Sequence, residues 1–566
     1  MRWTFAPEPD SLIINHLTDV LGVDRRIATL LAQRGISTFE EARQFFRPSL
    51  ADLHDPYLMK DMDKAVARVE QALVNGENIL VFGDYDVDGT TAVSLMSGYL
   101  RSIYPNVDTY IPDRYAEGYG VSFAGIDYAD DNGCTLIIAL DCGIKSPDKV
   151  AYAKEKGIDF IICDHHRPGD TLPDAVAVLD PKREDCTYPY DELCGCGVGF
   201  KLVQALGANR NQTIMDLLPW LDLVATAIAA DIVPITGENR ILAKFGLDVI
   251  NSNPRPGIKA LVQNAKKQQL NISDVVFRIA PRINAAGRIS HGKHAVALLT
   301  EFSLQQAEAF AAEIETFNAD RKELDKQITQ EALRQIDRNN DHNRYSTVVY
   351  QEDWHKGVIG IVASRLTETY YRPTLVFTKS GDKLAASARS VRDFDIYNAL
   401  EACADCLEQF GGHMYAAGLT LKEEQYEAFR EKFEQVVQDT ISPELLIPEI
   451  KIDAELDLVD ITPKFFRILK QFEPFGPGNM TPVFLTKGLR DTGFGRAIGA
   501  DSEHLKLFVK QGGSEGYSAI GFGLAKKKHL TENTAFDAVY SIDENEWNGE
   551  VSLQLRLRDV RSEYSC

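Results

Sequence analysis

The sequence predicts a multidomain α/β protein: a parallel-sheet domain, a smaller α/β domain joined to it by a long helix, and a C-terminal β-barrel. Three observations carry this. The chain has 566 residues, enough for roughly three to four domains. From about residue 60, amphipathic helical patterns alternate with short, wholly apolar runs, as in a parallel sheet covered on both faces. After about residue 450 the pattern turns mostly to strands separated by Gly, Asp and Asn turns.

Residues 1–50 read as a helical extension, with apolar periodicity through SLIINHLTDVLG and RRIATLLAQRG. Residues 51–300 form the first domain, with strands NILVF (78–82), VDTYIP (107–112), CTLIIAL (134–140), DFIIC (159–163) and AVAVL (175–179). Residues 301–345 connect the two α/β domains: from Ser303 to Asn340 there is no Gly or Pro, and Ser303 with Gln306 forms a capping-box pattern. That stretch is one long helix or a broken helical pair. Residues 346–450 form the second domain, with strands TVVYQ (347–351) and TLVF (374–377) around the helix GVIGIVASRL. In residues 451–566 the runs IKIDAEL, TPVFLT, HLKLFVK, AFDAVYSI and VSLQLRLRDV suit a small barrel of OB type.

Hydrophobic residues at 44% and charged residues at 25% are globular values. No apolar run approaches the ~18–20 residues of a membrane span, and MRWTFAPEPD lacks the apolar core of a secretion signal. Nine cysteines without such a signal predict a reducing, cytoplasmic setting and thiols used as small buried groups. Cys186 with Cys194 and Cys196, and Cys403 with Cys406, lack the partners of a zinc site and read as structural. The formal charge of −22, from 61 basic and 83 acidic residues, argues against indiscriminate coating of a duplex. Residues 251–300 run the other way. There Arg255, Lys259, Lys266, Lys267, Arg278, Arg282, Arg288 and Lys293 face one acid, Asp274, and this stretch is expected to line an approach for one strand.

The chemistry lies at the strand ends. NILVF runs through Gly83 into Asp84-Tyr85-Asp86-Val87-Asp88-Gly89, CTLIIAL into Asp141, and DFIIC into Asp164-His165-His166; the helical run LDLVATAIAA ends in Asp231. Side chains converge at the C-terminal edge of an open α/β sheet. Carboxylates with imidazole suit Mn²⁺ or Mg²⁺, and the imidazole favours Mn²⁺. Asp86, Asp88, Asp141, His165 and Asp231 supply enough ligands for two cations. DYDVDG also matches the start of a calcium-binding EF-hand loop, but the twelfth position is Leu95 instead of Glu and the hexapeptide follows a strand, so that reading fails.

DYDVDG, ALDCGI, DHH and AADIVP, in that order, resemble the four motifs of the DHH phosphoesterases, and GGHMYAAG (411–418) resembles the glycine-rich signature of their DHHA1 domain. IPDRYAEGYG (111–120), RINAAGRI (282–289), WHKGVIGIVASRL (354–366), SARS (387–390) and EPFGPGN (473–479) extend the likeness, over nearly the whole chain, to the single-strand-specific 5′ exonucleases of that family. Phe82 stands where such enzymes often have His. The resemblance implies two-metal hydrolysis of single-stranded DNA in the 5′-to-3′ direction, in repair and recombination. Asp86, Asp88, Asp141, His165 and Asp231 are then the metal ligands, with Asp141 bridging, and Asp84, Asp164 and His166 act beside them on ligands or substrate. Ser387, Arg389 and a loop of Gly411, Gly412 and His413 would hold the end phosphate, joined by Arg114, Arg282 and Arg288 as substrate contacts. In the barrel, Lys506, Phe508, Lys510, Phe522 and Lys526-Lys527-Lys528 are candidate strand contacts. Single-strand-binding protein and a RecQ-type helicase are the implied partners of an otherwise monomeric enzyme. The alternative is a family member acting on short oligonucleotides or cyclic dinucleotides, against which the β-rich extension argues.

Overall fold

The computed structural model describes every residue except 266, 268, 548, 549 and 563–566; of the basic stretch singled out above, Lys266 lies outside the described residues. The chain forms two compact units, Leu53–Val233 with Gly237–Ile447, and Met1–Asp52 with Pro234–Thr236 and Pro448–Cys566.

The first unit holds two sheets. Strands β1 (Asn78–Gly83), β2 (Val107–Tyr110), β3 (Cys134–Leu140), β4 (Asp159–Cys163) and β5 (Ala177–Leu179) are all parallel in the order β2-β1-β3-β4-β5. Connections leave β1 and β3 towards opposite sides, which opens a crevice at their C-terminal ends. Helix α1 (Val87–Ile103) follows β1 and is buried from Val87 to Leu100. It packs against α2 (Gly195–Ala208) and α3 (Leu221–Asp231). Its small polar residues suit burial because their hydroxyls bond back within the helix: Thr91, Ser94 and Ser97 donate to the carbonyls of Val87, Thr90 and Val93 at 2.7, 2.7 and 2.6 Å.

The connecting segment is one unbroken helix, α4 (Leu304–Asn339), ~54 Å long at 1.5 Å per residue. Ser303 Oγ accepts the Gln306 N–H at 3.4 Å, while the Ser303 N–H is taken by Glu301 instead of Gln306. Its buried positions 307, 311, 314, 318, 321, 325, 328, 332 and 336 are spaced by three or four residues, a single stripe. The second sheet comprises β6 (Thr347–Tyr350), β7 (Thr374–Ser380), β8 (Lys383–Arg389), β9 (Gln409–His413) and β10 (Ala416–Leu421), ordered β9-β10-β8-β7-β6, with helix α5 (Ile359–Tyr370) packed on β7 and β8. Only β6 and β7 pair in parallel. Gly411, Gly412 and His413 therefore lie on an edge strand and not in a loop. Gly and Ala carry little strand propensity, so GGHMYAAG reads as a turn until its partner β8 is in place.

The second unit corrects the expectation of a purely helical N-terminal extension. Arg2–Phe5 is a strand, paired in parallel with Glu449–Ile452. The helices Ser11–Leu21, Arg25–Ala32 and Phe39–Phe46 follow it, and Ile14, Leu17, Ile27 and Leu31 share one core with Phe465, Phe472, Phe484 and Tyr540. The barrel strands are Phe484–Asp491, Phe536–Trp547, Glu550–Ser562, Tyr517–Gly521 and His504–Lys510, in that neighbour order. Pairing of Arg490 with Lys510 and Asp491 with Val509 closes the ring, as an OB-type barrel requires. Among the described residues no helix is long and apolar enough to cross a membrane.

Candidate active site

The crevice between β1 and β3 is lined by carboxylates whose positions the backbone dictates. Asp84 is buried just past β1; one oxygen accepts the Gly120 N–H at 3.3 Å and the other has no partner. Asp86 caps α1 through the Gly89 N–H at 3.1 Å. A Cβ at Gly89 would sit 2.3 Å from the Asp84 carbonyl oxygen, so only glycine allows so abrupt a strand-to-helix turn. Asp88, one residue into α1, accepts the N–H groups of Gly195 and Cys196 at 2.6 and 2.7 Å. It thus sits at the positive end of α2. Asp141 adopts φ +60°, unusual for a residue with a Cβ, while its N–H holds the Cys163 carbonyl at 2.9 Å. Asp164 accepts His165 N, His166 N and His166 Nδ1 on one oxygen, at 2.8, 3.2 and 2.7 Å, and Ile144 N on the other at 3.0 Å. Burial opposes its ionisation, but these donors, His166 foremost, hold it below the usual carboxylate range.

His165 is the point of convergence. Its Nε2 lies 3.2 Å from Asp141, 3.6 Å from Asp231 and 3.7 Å from Asp88, and neither ring nitrogen has a hydrogen-bond partner. Two overlapping groups result, Asp88–His165–Asp231 and Asp141–His165–His166, each with its ligand atoms within 4.8 Å of one another. Burial, followed by mutual repulsion, pushes Asp88 up to about 7, Asp84 and Asp231 to about 8, and Asp141 well above its usual value. Burial and the neighbouring His166 push His165 down to about 3. An uncharged imidazole among carboxylates that repel one another is a socket lacking positive charge, and its oxygen and nitrogen donors fit Mn²⁺ or Mg²⁺. Asp86 stands in neither group, its carboxylate being used to cap α1. His166 stands in one of them. Phe82 is buried and stacks on Tyr110 at 5.4 Å between ring centroids.

The raised carboxylates have a consequence for stability. A carboxylate whose folded-state value lies above its unfolded value loses stability as pH rises towards the folded value. His166, pushed up to about 9, adds a loss of the same sign above its unfolded value near 6.5. The opposing His165 shift acts below that pH. With divalent cations chelated, the melting temperature should therefore fall from pH 6.5 to pH 8, and Mn²⁺ should raise it and flatten the slope. A pH-independent melting temperature in chelator would refute this.

Beside the carboxylates lies an arginine group. Arg288 donates to the Gly357 carbonyl at 2.9 Å, and burial followed by the charges of Arg114, Arg389 and Arg321 brings it down to about 10. Arg114 stacks 4.1 Å over the Tyr85 ring with its Nε buried and unpartnered. Arg389 donates to Ser387 Oγ at 2.9 Å and to the Ala388 carbonyl at 2.7 Å, and burial lowers its value too. Among the described residues no carboxylate forms an ion pair with Arg114, Arg288 or Arg389. His413 is lowered by burial and by the charges of Lys145, His166 and Lys182. Arg282 is different: its Nε is 2.5 Å from Glu315 on α4, so it is a structural tie and not an open substrate contact. The basic stretch is partly neutralised in the same way, with Arg255 on Asp222 and both Lys267 and Arg278 on Asp274.

Several contributors escaped sequence reasoning. The Tyr119 hydroxyl lies 3.1 Å from His166 Nε2 and 3.4 Å from the Asp141 carbonyl oxygen. Its only sequence signal was its place within IPDRYAEGYG. Gly195 and Cys196 act through their backbone, and a Cβ at Gly195 would sit 2.5 Å from that of Asp141. The small-residue run CGCGVG opening a helix was the available hint. All the described cysteines are free thiols.

Residues 78–228 match the DHH family, N-terminal domain, residues 343–439 the DHHA1 domain, and residues 452–559 the RecJ OB domain. The single-stranded-DNA-specific exonuclease RecJ of Bacillus subtilis is 37% identical over 567 residues, covering 99% of this chain and 71% of that relative. The chain belongs to the RecJ family. RecJ of Escherichia coli, also named a single-stranded-DNA-specific exonuclease, is 34% identical, with 94% of this chain and 95% of that one covered. The crystal structure of RecJ in complex with Mn²⁺ from Thermus thermophilus superposes with a TM-score of 0.84 at 28% identity, covering all of this chain and 80% of that one. A second structure of that RecJ, in complex with Mg²⁺, gives 0.77 at 26% identity.

Proposed function

We propose that this RecJ-family chain is a metal-dependent exonuclease that hydrolyses single-stranded DNA from its 5′ end. The observation that carries the reading is the unpartnered His165 imidazole among Asp88, Asp141 and Asp231, next to arginines without counter-ions. Asp88, Asp141, His165 and Asp231, with Asp86 at the cap of α1, would hold two divalent cations, Mn²⁺ in preference to Mg²⁺. When bound, these supply an activated water and neutralise charge on the phosphate. Asp84, with one carboxylate oxygen unpartnered, would accept a hydrogen bond from the attacking water and orient it. Asp164 fixes His166 through Nδ1. Burial works against protonating His166, but Asp164 outweighs it and raises the ring to about 9, so Nε2 can donate to a phosphate or leaving-group oxygen once Tyr119 yields. Arg114, Arg288, Arg389 and Ser387, with the Gly411-Gly412-His413 strand end, would seat the terminal phosphate. In the barrel a hollow of about 370 Å³ lined by Phe494, Arg496, Lys506 and Phe508 is suited to stacking and charge contacts with a strand. Repair and recombination in the cytoplasm, action as a monomer, and exchange with single-strand-binding protein and a RecQ-type helicase complete the reading.

The test is Mn²⁺-dependent digestion of long single strands labelled at either end. A 5′ label should leave at once as mononucleotide, whereas a 3′ label should persist in shrinking fragments. Arg389→Ala should cut kcat/KM about 10- to 100-fold on 5′-phosphorylated ends, the worth of one or two charge-assisted hydrogen bonds. It should change little on 5′-hydroxyl ends. Equal losses on both would remove Arg389 from end recognition, and hydrolysis restricted to dinucleotides would replace the exonuclease by a small-substrate phosphoesterase.

A further inference from the structure

One part of the second sheet is bare for no reason of folding. Paired residues on β9, β10 and β8 share a face in rows: His413–Ala416–Arg389, then Gly411–Gly418–Ser387, then Gln409–Thr420–Ala385. The first row contains Arg389 of the arginine group and His413, which feels the charge of His166. Gly411 and Gly418 of the next row and Gln409, Thr420 and Ala385 of the one after floor an open trough of about 770 Å³, whose lining also includes Lys356 and Glu408.

Gly411 and Gly418 lie directly opposite each other in that floor. Neither has a positive φ. A Cβ on Gly411 would meet nothing within 4 Å, and one on Gly418 only the Ala386 carbonyl oxygen at 3.9 Å. Gly412 is the contrast: its φ is +144° and a Cβ there would lie 2.4 Å from the Ala416 carbonyl oxygen, so the fold itself demands glycine. Two facing glycines in ordinary strand conformation weaken a sheet through backbone entropy and absent side-chain packing. Where packing does not require them, strand glycines mark the close approach of a ligand.

We propose that this floor seats the nucleobase of the 5′-terminal nucleotide, flat against the exposed peptide planes of Gly411 and Gly418, an inference that rests on the exonuclease reading. The base would lie in the row of Ser387, next to the row of Arg389, with the phosphate held by those two side chains. Gln409 and Thr420 stand along its edge. A side-chain amide and a hydroxyl each both donate and accept, so they can satisfy any of the four bases and impose no sequence preference.

The test crosses an enzyme variant with a substrate variant. Gly418→Val places its methyl groups in the trough, and valine favours strands, so the melting temperature should not fall. On a 5′-phosphorylated single strand, Gly418→Val should lower kcat/KM about tenfold. A strand whose terminal nucleotide is abasic should cost the wild type a similar factor, and the two changes together should cost no more than either alone, the signature of one shared contact. If the variant loses the same factor on normal and abasic strands, or loses nothing on the normal strand, the base does not sit there. A wild type that releases no nucleotide from any single strand overturns the exonuclease reading, and this inference with it.

Discussion

Replacing His165 with alanine should abolish hydrolysis of single-stranded DNA at saturating Mn²⁺, by ~10³-fold or more in kcat, ~4 kcal/mol of transition-state stabilisation. The reason is geometric. His165 Nε2 is the one donor atom common to both ligand groups, and its neutrality in a buried, acidic setting leaves the lone pair free for a cation. Alanine leaves Asp88, Asp141 and Asp231 facing one another without it. Asp141→Ala should behave alike, since its carboxylate stands 3.2 Å from the same nitrogen. Single-strand binding, measured by anisotropy in chelator, should survive in both variants, because the arginines and the barrel are untouched. Near-wild-type cleavage by both would dismantle the metal assignment.

Lys201→Met should destabilise the first unit by ~3–5 kcal/mol, read as a drop in the urea midpoint of its unfolding. Lys201 and Glu238 are buried together, 2.9 Å apart, with their side chains 0% and 1% exposed. Lys201 also donates to the His54 carbonyl at 2.8 Å, while Glu238 accepts from Tyr188 at 2.6 Å and His54 N at 2.9 Å. Methionine fills the space of the lysine but strands a carboxylate away from both water and cation. Adding Glu238→Gln should recover part of the loss, because a neutral amide costs less to bury. The pair matters to the site because Lys201 belongs to α2, whose first N–H groups hold Asp88. A loss below ~1 kcal/mol would show that the pair contributes little.

These two cases mark what sequence could and could not disclose. The carboxylates of the crevice were legible because Asp84, Asp141 and Asp164 directly follow apolar strands, whose C-terminal ends converge, and Asp231 ends an apolar helix. Asp86 looked the same as Asp88 in sequence; only the turn shows that one caps its own helix while the other reaches across to α2. Arg282 and Arg288 both lie in RINAAGRI, yet their order along the chain says nothing of Glu315 on a helix 33 residues on. The second sheet was half read, since β8, β9 and β10 are rich in Ala and Gly and become strands through pairing instead of propensity. Burial of Lys201 leaves no mark in a sequence at all.

The pairing of Arg2–Phe5 with Glu449–Ile452 has a consequence for biosynthesis. Synthesis runs from the N-terminus, so residues 53–447, save the short Pro234–Thr236 insertion, emerge and can fold before the barrel exists. The first fifty residues must wait, with Ile14, Leu17 and Ile27 unsatisfied, until partners more than 400 positions away leave the ribosome. Closing so long a loop is slow, and the waiting segment exposes apolar surface meanwhile. The unit that carries the carboxylate crevice is thus the early product of translation, and the barrel the late one.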